Sequence, residues 1–449
     1  MKQNDAESEQ KISSLTESIT EGLPSKARSV MQAMHPAEVA DALEALPPSK
    51  RRLLWDLVNP EIDGDVLLEV HDEVRDQLVQ EMDISELQAA TEQLDVDDMA
   101  DLIQALPEEL TSHVLAGIGR QDRARLEQLL EYPEDSAGGL MNLDTITVQD
   151  DVTLEVVLQD LRARGDIPRH TDRLWVVNRN GQYCGELPLR RLLTHPLDTL
   201  VVDITRTDRE PIAVQASASD VARLFEDYDL VSAPVVDANN TLLGRVTVDD
   251  VVDVIRDEAE QSVMSMAGLN QEADTFAPVV RSARRRALWL GVNLLTALLA
   301  SWVIAQFEST LDRVVTLAVL MSVVPSMGGI AGSQTLTLVI RSQALGQVNR
   351  SNQQALLIRE LGVGLLNGLV WATIVCALVT WWLNDLKIGL ILGAALMINL
   401  LVAAWAGMTL PILMKRVGID PALAGGVALT TVTDVVGLLA FLGLATWLL

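Results

Sequence analysis

The last 22 residues of the chain, ALTTVTDVVGLLAFLGLATWLL (428–449), form an apolar run that holds one charged residue, Asp434. An apolar helix of about 20 residues crosses the ~30 Å hydrocarbon core of a bilayer. A carboxylate at its centre costs roughly 2.5–3.5 kcal/mol on insertion scales, so such a residue usually faces a bundle interior or a water-filled path. Because no predicted span holds a basic residue, a cation is the simplest partner. The alternative is hydrogen bonding to Thr430 or Thr431 for packing alone.

Long uncharged intervals after Arg286 predict the membrane spans. Five intervals qualify: 287–307, 314–340, 361–384, 388–414 and 421–449, the last with Asp434. The loops on one side are basic, and the positive-inside rule places that side in the cytoplasm. The N-terminal half is therefore expected in the cytoplasm and the C-terminus outside.

Charge divides the chain into two unlike halves. From Arg281 onward there are 11 Lys and Arg against 6 Asp and Glu, a net charge of +5, so residues 1–280 carry −33 of the total of −28. Such an acidic region repels nucleic acid and anionic lipid and favours metal cations or a basic partner. Solvated acidic helices are the alternative interpretation.

The second span contains VVPSMGGIAGSQ (323–334), with Pro325, Gly328, Gly329 and Gly332 within eight residues. Proline removes a backbone donor and glycine weakens a helix, so we expect a kink or an unwound segment there. Broken backbone at membrane depth must be buried or line a wet cavity. A small-residue helix-packing face is the alternative.

The acidic half begins with a region of short helices, about residues 30–130. Residues 38–58 are echoed by residues 98–118, at an offset of 60, and residues 84–94 form a partial copy. Each copy has helical apolar spacing followed by a Leu-Pro stop, which predicts a helical superhelix.

Two later segments, 174–193 and 232–255, each follow the order strand, tight turn, strand, helix. They resemble a tandem pair of CBS domains. In that family the spacing of Gly244, Thr247 and Asp250 often binds the ribose of an adenine nucleotide. This resemblance implies ATP as a candidate ligand of the second unit, although a purely structural pair is equally compatible.

Acidic residues cluster on two predicted helices, in LDVDDMAD (94–101) and VDDVVDVIRDEAE (248–260). Carboxylates four residues apart share a helix face and repel each other. Mg²⁺ takes oxygen ligands and keeps several waters, so facing acidic helices can share it without a dedicated cage. The candidate ligands on these two helices are Asp97, Asp98, Asp101, Asp249, Asp250, Asp253, Asp257 and Glu258.

The order of these parts resembles the MgtE family of magnesium transporters and channels. The resemblance rests on YPEDSAGGLM (132–141), RRRALWLGVN (284–293), FESTL (307–311), GGIAGSQ (328–334), ALGQ (344–347), IDPALA (419–424) and TTVTDVVG (430–437). It implies a multidomain membrane protein with an acidic α-helical superhelix domain (1–131), an α/β tandem CBS domain (132–261, divided near 201), a linking helix (262–286) and an all-α five-helix transmembrane domain (287–449).

For function, the resemblance implies a homodimeric Mg²⁺-selective channel or transporter in the bacterial inner membrane. Its pore is lined by the second and fifth spans, with Asp434 at the family's pore position. Cytoplasmic Mg²⁺ bridges the acidic and CBS domains, and the linking helix then holds the pore shut. Asp420 keeps the family identity and is added to the regulatory metal residues.

Two departures bear on selectivity. The family's usual GGNAG is GGIAG here, with Ile330 in place of Asn, and the usual SGPF before the pore aspartate is GGVA (425–428). Transport of Co²⁺ or Mn²⁺ is therefore an alternative. A separate alternative is a non-conducting membrane sensor, in which metal or nucleotide occupancy of the acidic half is relayed to a partner. An enzyme is not expected, because none of the histidines at 35, 71, 113, 170 and 195 joins a catalytic set.

Overall fold

A computed structural model describes residues 11–15, 17–18, 24–91, 94–104, 106–266, 269, 276–344, 346–349 and 351–449. The chain divides into two compact units, one of residues 1–259 and 272–277 and the other of residues 260–271 and 278–449.

Short helices make up the N-terminal part of the first unit, as the sequence predicts. They are α1 (Pro24–Met31), α2 (Pro36–Glu44), α3 (Pro48–Trp55), α4 (Asp63–Glu69), α5 (Asp72–Glu81), α6 (Ile84–Thr91), α7 (Val96–Gln104), α8 (Glu108–Gly117) and α9 (Arg120–Leu129), with a 3₁₀ turn at Pro60–Ile62.

The Leu-Pro stops are helix boundaries. Pro47 and Pro107 are the N-cap residues of α3 and α8, where a missing N–H removes no helical hydrogen bond. A second repeat, at an offset of 24 residues, is visible only in the structure. The buried Arg51 donates from Nε to the carbonyl of Leu43 at 3.0 Å, and Arg75 donates in the same way to Leu67 at 2.8 Å. Each arginine thus satisfies a carbonyl near the end of a preceding helix.

Two three-stranded sheets follow, in the order β1-β2-β3 and β4-β5-β6. The elements are β1 (Thr147–Gln149), α10 (Leu154–Arg164), β2 (Arg173–Val177), β3 (Tyr183–Pro188), α11 (Leu189–Thr194), α12 (Val201–Ile204), β4 (Ile212–Ala213), α13 (Ala218–Tyr228), β5 (Ser232–Val236), β6 (Leu242–Thr247) and α14 (Val248–Met266). In each sheet the first pairing is parallel and the second is antiparallel.

The two sheets are interlocked by exchanged segments. Asn142, which precedes the first sheet, exchanges two backbone hydrogen bonds with Arg245 of β6, at 2.7 and 2.9 Å. Arg206, which precedes the second sheet, exchanges two with Glu186 of β3, at 2.8 and 2.9 Å. One hydrophobic core joins the short helices to the second sheet, whereas the first sheet has a core of its own.

Within the described residues, five helical segments of the second unit are long and apolar enough to cross a membrane, which confirms the predicted number of spans. They are α15 (Val279–Ala305), the pair α17 (Thr316–Leu320) and α18 (Val323–Ala344), α19 (Gln353–Leu383), α20 (Leu386–Val417) and α21 (Pro421–Leu448), with the short α16 (Glu308–Arg313) after the first span. The fourth span, α20, is the most buried of the five. The helices extend beyond several of the uncharged intervals because charged residues lie within them: Arg341 and Lys415 in the last turns of α18 and α20, and Glu360 about two turns inside α19.

The second span is broken, but not where the sequence analysis expects. The break lies at Met321–Ser322, and α18 remains helical through Pro325 and all three glycines. Pro325 is the third residue of α18, where its missing N–H is tolerated. The expected unwinding at the glycines is wrong, and the packing-face alternative fits Gly328 and Gly332. A Cβ atom on Gly332 would lie 2.8 Å from Leu429 Cδ1.

In the described residues, the expected linking segment 262–286 is not one continuous helix. Residues 262–266 belong to α14, residues 276–278 are not helical, and residues 279–286 begin α15. Residues 267–268 and 270–275 lie outside the described residues.

Close helix packing in the membrane unit gives a stability prediction. A Cβ atom on Gly407 of α20 would lie 2.8 Å from the carbonyl oxygen of Gly332 and 2.9 Å from Thr335 Cβ. We expect Gly407→Ala to destabilise the protein by about 1–3 kcal/mol, because overpacking forces the backbones apart. Thermal unfolding of the full-length protein in detergent measures this. Gly443→Ala is the control, since nothing lies within 4 Å of that position; equal midpoints for the two variants would contradict the prediction.

Candidate functional site

Asp434 lies at the middle of α21 and is partly exposed in the single chain. Within the residues that the structure describes, its carboxylate has no hydrogen-bond or ion-pair partner. The hydroxyls of Thr430 and Thr431 instead donate to carbonyls of their own helix, those of Gly426 at 2.9 Å and Val427 at 2.8 Å. The packing alternative for Asp434, hydrogen bonding to these two hydroxyls, is therefore wrong.

The outward face of the broken second span is polar. Its exposed polar side chains, from the break toward the C-terminal end of α18, are Ser322, Ser326, Ser333, Gln334 and Thr337. Ile330 lies on the same face, and 57% of it is exposed. Polar side chains at membrane depth normally face protein or water and not lipid.

Contacts between α18 and α21 show which part of α18 lies at the level of Asp434. Gly332 meets Leu429, and Gly437 meets Val324, so the two helices run in opposite directions. Asp434 lies between these two levels. On α18 the same interval carries Ser326 and Ile330.

The other predicted pathway residues take different positions. Gly328 and Gly332 are buried against neighbouring helices, whereas nothing lies within 4 Å of a Cβ placed on Gly329. Pro325 lies in the first turn of α18 and is partly exposed. The structure therefore separates the predicted set into packing residues and residues of an open face.

Two buried polar residues of the membrane unit were missed by the sequence analysis. Glu360 of α19 is 4% exposed, accepts a hydrogen bond from Thr335 Oγ1 at 3.3 Å, and pairs with Arg359 at 3.0 Å. Asn399 of α20 is fully buried, and its Nδ2 donates to the carbonyl of Val324 at 2.8 Å. A map of charged residues cannot detect Asn399, and it assigns Glu360 to a loop.

The first unit assembles an acidic cluster from α7 and the start of α14, as the sequence predicts. Its members are Asp97, Asp98, Asp101, Asp249 and Asp250, whose carboxylates repel one another. Asp97 is 8% exposed, and its Oδ1 is buried without a hydrogen-bond partner in the described part of the chain. The common core beneath α7, β6 and α14 holds the two acidic helices close together.

Burial and mutual repulsion raise the pKa values of this cluster. Burial first, and then Asp97 and Asp95, raise the pKa of Asp98 to about 7. Burial first, and then Asp98 and Asp97, raise the pKa of Asp101 to about 8. The pKa of Asp250 lies well above its ordinary value for the same reasons, with burial the largest. The cluster therefore favours either protons or a cation.

A metal at this cluster would be held incompletely by protein. No three His, Cys, Asp or Glu side chains of the described chain are arranged as ligands of one ion. Mg²⁺ nonetheless fits, because it keeps several waters and is commonly held by one or two carboxylates. The unpartnered Oδ1 of Asp97 is such a carboxylate oxygen.

The remaining predicted metal residues do not join the cluster equally. Burial, together with nearby Asp249, raises the pKa of Asp253, which also lies 3.5 Å from Arg256. Asp257 lies 3.8 Å from Arg256, and Glu258 accepts a hydrogen bond from Ser219. Three of the predicted acids thus have other partners.

Asp420 and the candidate nucleotide residues have structural contacts. Asp420 is the N-cap of α21 and accepts from Ala422 N at 2.8 Å. Thr247 Oγ1 donates to Asp250 Oδ2 at 3.0 Å, and the carbonyl of Asn142 lies 2.8 Å from a Cβ placed on Gly244. The Thr247–Asp250 pair therefore adjoins the acidic cluster.

Comparison with known proteins agrees with this organisation. Family models match in order: the MgtE intracellular N domain at residues 34–135, the CBS domain at 137–198 and 201–257, and the MgtE divalent cation transporter domain at 321–444.

Relatives of the same family match nearly the whole chain. The magnesium transporter MgtE of Thermus thermophilus is 31% identical over 441 residues, covering 97% of this chain and 98% of the relative. That of Bacillus subtilis is 28% identical over 419 residues, covering 93% of each chain. A crystal structure of the cytosolic domain of the Mg²⁺ channel MgtE in complex with ATP is 31% identical, covers 54% of this chain and 99% of that chain, and has a TM-score of 0.49. With three matching domains in the same order and a relative at 31% identity that it covers almost completely, the chain belongs to the MgtE family.

Proposed function

We propose that the protein conducts Mg²⁺ across the bacterial inner membrane along the polar face of α18 and past Asp434. The observation that carries this proposal is Asp434 itself, a partly exposed carboxylate at mid-membrane without a partner in the described residues. The relatives of the protein are named magnesium transporters. An anchor for a non-conducting sensor would need neither an intramembrane carboxylate nor a polar face.

The hydrated ion is the species that this pathway suits. Mg²⁺ gives up its waters reluctantly, so recognition through the water shell avoids the dehydration cost. One carboxylate attracts the ion, and the hydroxyls of Ser326 and Thr430 can accept hydrogen bonds from its waters. Ile330 supplies no polar group, which favours Co²⁺ or Mn²⁺ as the alternative cargo, to be separated by competition in flux measurements.

A homodimer supports this pathway. The polar face of α18 and the exposed Gly426 and Thr430 of α21 are unsuited to lipid in a single chain. A second copy related by a two-fold axis would cover them and bring two Asp434 carboxylates to one axis. The ion would enter the cytoplasm down the electrical gradient, which contributes ~2.3 kcal/mol per elementary charge per 100 mV.

Gating follows from the acidic cluster of the first unit. When cytoplasmic Mg²⁺ is high, it binds the arrangement in which α7 and α14 face each other and offsets the repulsion among their carboxylates. A ligand shifts a population only by its differential affinity for the two states. We infer that this arrangement belongs to the closed channel and that the segment 262–286 transmits the change. ATP at Gly244, Thr247 and Asp250 stays a prediction.

The role of Asp434 is tested by Asp434→Asn in the full-length protein reconstituted into liposomes. At about 5 Å, one carboxylate attracts a divalent ion by about 1.7 kcal/mol even at the dielectric constant of water, so we expect Mg²⁺ flux to fall at least about tenfold. Asp312→Asn is the control, an exposed acid between the first two spans, and should leave flux unchanged. Undiminished flux in Asp434→Asn would remove the residue from the pathway.

The acidic cluster gives a pH prediction. The pKa values of Asp98 and Asp101 lie above the unfolded value of about 3.9, so the folded state binds more protons between about pH 4 and 8 and loses stability as pH rises through this window. In EDTA we expect the double variant Asp98→Asn, Asp101→Asn to unfold at a higher temperature than the wild type at pH 8. The difference should shrink toward pH 5, or when Mg²⁺ is added to the wild type at pH 8.

The measurement is thermal unfolding of the full-length protein in detergent at each pH. Asp227→Asn, an exposed acid of α13, is the matched control and should show no such pH-dependent difference. A difference for the double variant that stays constant from pH 5 to 8 would show that the cluster does not titrate as described.

Gating predicts that Mg²⁺ protects the linking segment. Protease cleavage between residues 262 and 281 should slow as Mg²⁺ rises through the millimolar range. Gel electrophoresis of the digested full-length protein measures the rate of cleavage. The variant Asp434→Asn should keep this protection, because its sensor is intact. Cleavage that does not respond to Mg²⁺ would argue against the sensor while leaving the pathway in place.

A further inference from the structure

Asn399 occupies a junction of three membrane helices. Its side chain is fully buried in α20, between Val324 and Gly328 of α18 and Gly437 of α21. Cβ atoms placed on Gly328 and Gly437 would lie 2.1 and 2.8 Å from Asn399 Nδ2, so only glycines leave room for the amide.

We propose that Asn399 is a positioning residue for the ion pathway, which rests on the pathway proposed above. Its amide ties the first turn of α18 to the central helix α20. The hydrogen bond from Nδ2 to the carbonyl of Val324, 2.8 Å long, is the contact that does this.

The hydrogen bond lies in the first turn of α18. The helix begins just after the break at Met321–Ser322, and Pro325 has no N–H to donate to the carbonyl of Met321. Ser326, on the exposed polar face, belongs to the same turn as Val324. A tie at Val324 therefore fixes the position of Ser326 relative to α21, at the level of Asp434.

Stability alone does not account for the amide. Asn399 Oδ1 is buried and has no hydrogen-bond partner in the described residues, which is unfavourable in a dry interior. Replacing both partners of a buried hydrogen bond by apolar groups of the same shape can be nearly neutral or stabilising, and the partner here, the carbonyl of Val324, remains part of the helix α18. A leucine would fill this space without an unpaired oxygen, so the asparagine points to a requirement other than packing.

The test is Asn399→Leu in the full-length protein, reconstituted into liposomes, with Mg²⁺ and Mn²⁺ flux measured in parallel. If the free energy of this hydrogen bond stabilises only the conducting arrangement, its loss should lower Mg²⁺ flux by about two- to tenfold. The ratio of Mg²⁺ to Mn²⁺ flux should change, since Ser326 is no longer held at a fixed distance from Asp434. The thermal unfolding midpoint should be equal to or above that of the wild type.

Thr380→Val is the matched control. Thr380 Oγ1 is also buried without a partner in the part of the chain described, but it contacts Gly389, between α19 and α20. This variant should leave both fluxes and their ratio unchanged.

In Gly437→Ala, the added methyl group on α21 would lie too close to the Asn399 amide and displace it. This variant serves as a second test if Asn399→Leu does not fold. It should change the flux ratio in the same way. A ratio equal to that of the wild type in the folded variants would overturn the positioning role, as would a flux loss that follows only a lowered unfolding midpoint. Wild-type liposomes that carry no Mg²⁺ would instead reject the proposed function itself.

Discussion

Close approach of α18, α20 and α21 at glycines is the constraint on which the membrane unit depends. Because Gly332 and Gly407 lack side chains, the backbones of the second and fourth spans approach closely. A Cβ atom on Gly407 would lie 2.8 Å from the carbonyl oxygen of Gly332. Because lipid is as apolar as the helices, such packing, and not hydrophobic burial, holds membrane helices together. The buried side of α18 is committed to this contact. Its polar residues are therefore left on the opposite side, together with the exposed part of α21, and this is how packing creates a face that needs water or a second chain.

The first unit is governed by a different balance, that between a shared hydrophobic core and carboxylate repulsion. The core brings α7 and α14 together, and Asp97, Asp98 and Asp250 then repel one another in a partly dry environment. A proton or a divalent ion would relieve that repulsion, and the raised pKa values indicate that these carboxyls hold protons more tightly than exposed ones do. On the gating proposal, a cation at this cluster would be held by few protein ligands and would keep several of its own waters.

Much of this organisation could be predicted from the sequence, because charge and apolar length are local properties. They indicated the five spans, the short helices and the two strand-turn-strand units, and Asp434 was identified as a lone carboxylate. The break in the second span could not be located, because neighbouring helices decide whether a glycine bends a helix or allows close packing. At Gly328, the side chain of Asn399 from another helix occupies the space that a Cβ atom would need. Asn399 itself is one uncharged residue in an apolar run, and only its contacts distinguish it. Glu360 was assigned to a loop because a charged residue was taken as the end of a span.

Ile330 sharpens the question of selectivity. It lies on the exposed face of α18 between Ser326 and Ser333, so an apolar side chain interrupts a row of hydroxyls near the level of Asp434. A hydrated ion that passes such a residue loses one hydrogen bond to its water shell but keeps its inner waters. Discrimination then falls on the charge of Asp434 and on the width of the pathway. Charge alone does not distinguish Mg²⁺ from other divalent cations, which leaves width, and width is set by how rigidly α18 is held against α20. On the proposed pathway, selectivity would thus depend on a packed interior junction more than on the residues that line the path.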